Sequence, residues 1–396
     1  MLVELIWVTK GSLEEFLTDK QVDHITIGEL NHYIDKSLKV KYLQDKADII
    51  ATERLCCTSP SAVSCPGMKK QGGKQTAKPK KKSKTKYRVT NWHEYDKALV
   101  SRGSVEIWMD KQTVVSWKAE PISGSKGGRP RIYSDAAILC AATLRKLFRL
   151  PLRATEGLVA SLLSLAGSPL KAPDFSTISR RLASLPILLM KQRKEKTVIV
   201  VDSSGVKVYG EGEWKVRQHG VGKRRTWKKI HIAIGEDGEI RTMEVTDNDT
   251  HDGDVAKALL DKEDSETEIV AFHADGAYDQ RKVYDELVRR SVPTILVPPR
   301  KDARIWVHGN QKDVPPHPRD VNLRGIRKHG RKQWKILSGY HLRSLVENTM
   351  FRYKTILGDK VASRKPENQT AELTLGCRIL NVMFHLGMPD SVPVLA

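Results

Sequence analysis

The sequence has no apolar run approaching the length of a bilayer-spanning helix, so a membrane protein is not expected. It lacks the basic start, apolar core and small-residue cleavage site of a secretory signal, which argues against export. Cysteine is scarce. Cys56, Cys57, Cys65, Cys140 and Cys377 are odd in number, three crowd into one segment, and no metal-ligand spacing occurs among them. A cytosolic, reducing compartment is the expectation. Acidic residues are the last shortage: 47 Asp and Glu face 68 Lys and Arg, leaving a net charge of +21. A surface this basic attracts a polyanion, and nucleic acid is the commonest one. An anionic membrane surface is the alternative, but no basic amphipathic anchor lies beside a large apolar face.

The 396 residues are enough for two or three domains with a sizeable core. Residues 1–67 stand apart, with a net charge of −3 against +24 for the rest. The segment IGELNHYIDKSLKVKYLQDKADIIATERL within them has helical apolar spacing, so a small helical module is one reading. The other is sequence upstream of a natural start at Met68, which is followed by KKQGGK. Residues 68–86 hold nine lysines and almost no apolar group, which predicts a disordered basic arm that binds phosphate by counterion release.

Residues 87–195 read as mostly helical. Gly128, Arg129, Pro130 and Arg131 resemble an arm that lies in the minor groove, with a flexible linker as the plainer reading. DAAILCAATLRKLFRL, LRATEGLVASLLSLAG and SPLKAPDFSTISRRLASL then give helix, helix, turn, helix, with Asp174 or Ser176 as the last cap. This is helix-turn-helix-like. Arg180 and Arg181, with Ser176, Thr177 and Ser179, are candidate DNA contacts; a small bundle with a polar end is the alternative.

From residue 196 the pattern turns to an α/β domain extending to 390. KTVIVVDSSG reads as a buried strand closed by an acid and a turn, and TEIVAFHADGAYD as another. HIAIGEDGEIRTMEV reads as a hairpin about Glu236-Asp237-Gly238. Residues 300–338 read as a long, basic, irregular loop, and TAELTLGCRILNVMFHL as a core helix. YHLRSLVENTMFRYK between them reads as helix. At ~100° per residue, Tyr340, Arg343, Glu347 and Lys354 share a strip roughly 60° wide, and Leu342, Val346, Thr349, Met350 and Tyr353 form an inward stripe.

Two expected strand ends carry aspartate, Asp202 and Asp275, and such ends are where open α/β sheets handle ligands. Asp202 to Asp275 spans 73 positions and Asp275 to Glu347 spans 72, which leaves room for folding to gather all three. Three adjacent carboxylates need compensating cations. Hard divalent ions such as Mg²⁺ or Mn²⁺ suit oxygen ligands, and two of them about 3.5–4 Å apart can flank a phosphate. Arg343 and Lys354 could then grip neighbouring phosphates, and Tyr340 could hydrogen-bond another. Asp279 is a rival ligand read as a cap or turn residue, and Asp249, His251, Asp252 and Asp254 are read as loop and cap residues. Trp214, Trp227, Lys228, Lys229 and His231 form a basic aromatic stretch suited to base stacking or backbone contact, or to packing under the sheet.

The spacing Tyr340-x2-Arg343-x3-Glu347-x6-Lys354 resembles the Y-R-E-K signature of bacterial insertion-sequence DDE transposases. VDSSGVKVYGEGEWKVRQHG with RRTWKKIHIAIG, HADGAYD, and VPPRKDARIW resemble the stretches around and beyond that family's first two aspartates. The likeness extends over roughly residues 85–390. It implies a ribonuclease-H-like mixed sheet catalytic core flanked by helices, which would follow the N-terminal all-α helix-turn-helix-like domain read above from residues 87–195. It further implies Asp202, Asp275 and Glu347 as catalytic residues and as ligands of two Mg²⁺ ions. The implied partners are terminal inverted repeats, target DNA and a second copy in a synaptic dimer. A binding-only regulator and a hydrolysis-only nuclease of the same fold are the alternatives.

Overall fold

The computed structural model describes residues 86–120, 130–208, 227–307 and 316–394. The readings made of residues 1–67, the lysine arm, Arg129 and Trp214 lie outside them.

A short strand, β1 (Lys86–Val89), pairs antiparallel with the last one, β8 (Ser391–Val394). Helices α1 (Trp92–Arg102), α2 (Val105–Trp108) and α3 (Lys111–Val115) follow, then α4 (Asp135–Leu147), α5 (Leu152–Leu165) and α6 (Phe175–Arg181). Local sequence starts two of them, α4 and α6. The Ser134 hydroxyl accepts from the Ala137 amide at the head of α4. The Asp174 carboxylate accepts from the Ser176 and Thr177 amides at the head of α6, as the capping chemistry predicts.

The main sheet comprises β2 (Lys196–Val208), β3 (Trp227–Ile234), β4 (Ile240–Asp247), β5 (Glu268–His273), β6 (Thr294–Leu296) and β7 (Lys360–Val361). Its order is β4-β3-β2-β5-β6, with β7 added to the far end of β2. Strands β2, β3 and β4 run antiparallel, and β5 and β6 run parallel to β2. Three antiparallel strands continued by two parallel ones make a ribonuclease-H-like mixed sheet. Helices α7 (Asp252–Asp261) and α8 (Arg281–Arg289) provide the crossovers. The expected loop at 300–338 is in part helical: α9 (Pro318–His329) and α10 (Arg331–Leu337) occupy most of its described residues from 316 on. Pro318 sits at the first position of α9, where its missing N–H costs nothing. Helices α11 (Ser344–Leu357) and α12 (Pro366–Leu386) complete the unit.

Alternation along β2 divides the core. Ile199 and Val201 join Phe272, Leu259 and Leu287 on one face. Val200 and Val206 join Val346, Met350, Tyr353 and Leu357 of α11 on the other. That second face also takes Ile138, Leu144, Val159, Leu163 and Ile178 from α4, α5 and α6. The helices expected to stand as a separate domain up to residue 195 therefore share their core with the sheet, because the face opposite α7 and α8 must be covered too. Burying each such Ile, Leu or Val contributes about 1.5–3 kcal/mol. Helices α11 and α12 approach closely at Gly376, where a β-carbon would fall 2.5 Å from the Tyr353 hydroxyl oxygen. Among the described residues no helix is long and apolar enough to cross a membrane.

Candidate active site

Asp202 lies within β2, not at its end. The DSSG sequence suggests a turn, but β3 goes on pairing from Asp202↔Ile232 to Lys207↔Trp227 and keeps the chain extended. What ends here is the parallel ladder with β5, whose last partner on β2 is Val200. Asp202 shares a face with Val200 and so lies towards α11. Asp275 follows β5 by two residues, and its carboxylate caps a 3₁₀ turn by accepting from the Ala277 amide at 2.9 Å. Glu347 stands in the first turn of α11.

Arg343 joins two of these acids. Its guanidinium donates to Asp202 Oδ2 at 3.4 Å and to Glu347 Oε1. Tyr340 secures the third. It begins a 3₁₀ turn, Tyr340–Arg343, that precedes α11, entered through Gly339 at φ +71°. Its phenol is buried and donates to the Ala274 carbonyl at 3.1 Å, one residue before Asp275. Tyr340 is thus a strut and not a surface contact for DNA: the tight turn rotates it off the strip that a continuous α-helix would make.

Burial pushes the Asp202 carboxyl above its ordinary value; Arg343 and the Ser203 amide oppose this, and the charges of Asp275 and Glu347 add to it. The three acids therefore occupy one electrostatic neighbourhood. Among the described residues no group of three His, Cys, Asp or Glu side chains is arranged to hold a metal ion. The donor set nevertheless suits a hard divalent cation: it is all oxygen, it is crowded with like charge, and a resident cation already bridges two of its members.

Tyr278 was not singled out by sequence pattern. It is fully buried, and its hydroxyl has no hydrogen-bond partner among the described residues. Its pKa is raised well above the ordinary value by burial and then by Asp252, Asp202 and Asp275, which places the phenol among the acids. Its only linear signal is a position three residues after Asp275. Asp252 opens α7, accepts from Ser203 Oγ at 2.8 Å and pairs with Lys229 at 3.1 Å. Asp279 is locked in a buried pair with Arg319 Nε at 2.7 Å and is no rival ligand.

Several expected DNA contacts are engaged within the fold. Lys228 pairs with Asp247 at 2.6 Å, its partner on β4. Lys229 donates to the Thr250 carbonyl as well as to Asp252. Arg181 holds the Tyr133 carbonyl and Asp135, tying α6 to the head of α4. Arg180 is exposed but folds back onto Ser176. The Ser176 and Thr177 hydroxyls both donate to Asp174. Arg131 is exposed, and Lys354 is half-buried on α11.

A mixed sheet of this order, with acids from β2, from the end of β5 and from a helix packed on its face, defines a ribonuclease-H-like protein. Two family models, each described as a transposase DDE domain, match residues 100–211 and 193–382. Together they assign residues 100–382 to the DDE transposase domain family, whose members use divalent metal ions. It is also similar to a solved structure, the Drosophila P element transposase strand transfer complex, at 14% identity and a TM-score of 0.25. That likeness covers 72% of this chain and 63% of the other, so this chain spans less than two thirds of its length.

Proposed function

We propose that the protein is an insertion-sequence transposase that hydrolyses DNA at transposon ends and joins the freed 3′ hydroxyl to target DNA. The observation that carries this reading is the cluster itself: Asp202 and Glu347 bridged by Arg343, with Asp275 held beside them through Tyr340 and Ala274. Asp202, Asp275 and Glu347 would hold a pair of Mg²⁺ ions, with Mn²⁺ able to substitute. Such a pair supplies stabilisation of the attacking and leaving oxygens of a phosphodiester. Arg343 stands beside the acids to neutralise the phosphate that reacts there, and Lys354 lies about two turns beyond Glu347 on α11 for a neighbouring one. Arg131, Arg180 and the lysine arm add sequence-independent affinity for the terminal inverted repeats. A homodimer would pair two ends, in the cytoplasm and on the nucleoid.

The test uses Asp202→Asn, Asp275→Asn and Glu347→Gln with a labelled transposon end, uncut or pre-cut, and a plasmid target. End binding should stay within about twofold, while cleavage and joining disappear. Full cleavage by any one variant would remove that residue from the site. Cleavage without joined product in the native protein would leave a hydrolytic nuclease in place of a transposase.

A further inference from the structure

Away from the acids, the last turn of α4 buries two neighbouring cations, Arg145 at 8% and Lys146 at 6% exposure. With Arg149, Lys360, Asp359 and Glu372 they line a cavity of about 300 Å³. Its two carboxylates are already occupied. Glu372 accepts from the Ala362 and Ser363 amides at 3.1 and 3.0 Å and from Lys146 at 3.2 Å. Asp359 pairs with Lys207 at 3.3 Å. Arg145 is left over. Its guanidinium comes no nearer than 3.9 Å to Glu372 and donates no hydrogen bond among the described residues, and its buried Nε has no partner there. Arg149 donates to the Thr355 and Ile356 carbonyls, which brings its charge to the closing turn of α11. Lys360 is exposed on β7.

A guanidinium taken out of water without hydrogen bonds is costly, and natural folds keep one where something answers it. An anion with several acceptor oxygens would do so, and the planar fork of arginine matches phosphate. We propose that this cavity binds a phosphate group. Taken with the transposase reading, on which this step rests, the group is a phosphodiester of the DNA that reaches the acids. Helix α11 sets the separation. Leu357, which lines the cavity, comes ten positions after Glu347. At 1.5 Å per residue that is roughly 15 Å, about four base-pair steps of a strand at 3.4 Å each. One helix would then gauge two phosphates of one DNA segment, one at the acids and one in the cavity.

The test has two arms, using the full chain, Lys360→Glu and Arg145→Gln. Lys360 is exposed, so its variant remains informative if Arg145→Gln fails to fold. In the first arm, melting is followed in inorganic phosphate against chloride at matched ionic strength and pH. The native protein should show a phosphate-specific rise that both folded variants lose. In the second, affinity for a transposon-end duplex is measured across salt concentrations. The slope of log K against log salt should fall by about one in each variant, since Arg145 can reach a backbone only through the cavity. A response in the first arm alone assigns the site to free phosphate, and one in the second alone to the DNA backbone; either supports it. A phosphate effect absent from the native protein or undiminished in the variants, together with unchanged slopes, would overturn the site. Neither arm reads cleavage, so its failure is distinct from failure of the strand-transfer chemistry.

Discussion

The Arg343 guanidinium lies 3.4 Å from Asp202 and also holds Glu347, four residues on in its own chain. A side chain expected to meet DNA is, without DNA, the counter-charge of the acids. Binding of a phosphate would draw Arg343 away and free both carboxylates at the moment they are needed.

From this follows a result that runs against intuition. Arg343→Ala should bind Mn²⁺ more tightly than the native protein when DNA is absent. An ion pair of this exposure contributes up to about 1 kcal/mol, so the dissociation constant should tighten by up to about fivefold in calorimetric titration. Cleavage of a transposon end should fall in the same variant. Unchanged metal affinity would show that the bridge does not restrain the acids.

Tyr278→Phe removes only a hydroxyl, one that is buried among Asp252, Asp202 and Asp275 with no partner among the described residues. If that hydroxyl steadies the carboxylates, Mn²⁺ affinity should drop about tenfold, as it does when groups behind metal ligands are lost. The melting temperature should hold or rise slightly, because an unsatisfied polar atom has gone. Equal affinity in the two proteins would relegate the phenol to packing.

Arg181→Ala distinguishes a scaffold from a reading head. Arg181 is tied to Asp135 and the Tyr133 carbonyl, with its side chain 14% exposed. Losing it should cost about 1–3 kcal/mol, visible as a melting temperature several degrees lower. End affinity of the folded fraction should be unchanged in gel shifts; a selective loss of affinity would return Arg181 to the DNA surface.

The sign of the pH dependence can be worked out from His317, which caps α9 through Nδ1 and packs against Trp306 and Tyr284. Burial lowers its pKa below the ordinary 6.5. The unfolded chain therefore binds the proton first, and stability falls as pH drops through about 6.5. Burial also lowers His231, and His273 to about 4, so the decline continues toward that value. His317→Asn keeps a capping acceptor and loses the titration. Its melting temperature should fall less between pH 7 and pH 5; an equal fall would clear His317.

Much of the frame was legible because it is local. The apolar run TVIVV, the hairpin at Gly238, the Asp174 cap and the Val346, Thr349, Met350, Tyr353 stripe all follow from period and turn chemistry, and each is found as read. The acids were singled out through the spacing they share with a known family, and folding brings Asp202 and Glu347 onto one guanidinium. What escaped the sequence is cross-chain. Lys228 faces Asp247 only because β3 and β4 are in that register, and no linear pattern announces the pairing. Asp202 stays extended because a neighbouring strand outbids its own turn signal. Tyr340 turns inward because a four-residue tight turn, Tyr340–Arg343, precedes α11.

The common interior of α4, α5, α6 and the sheet has an evolutionary consequence. Those helices could not be exchanged between relatives as a cassette, since part of the common interior would leave with them. Divergence there must proceed by surface substitution on a fixed body.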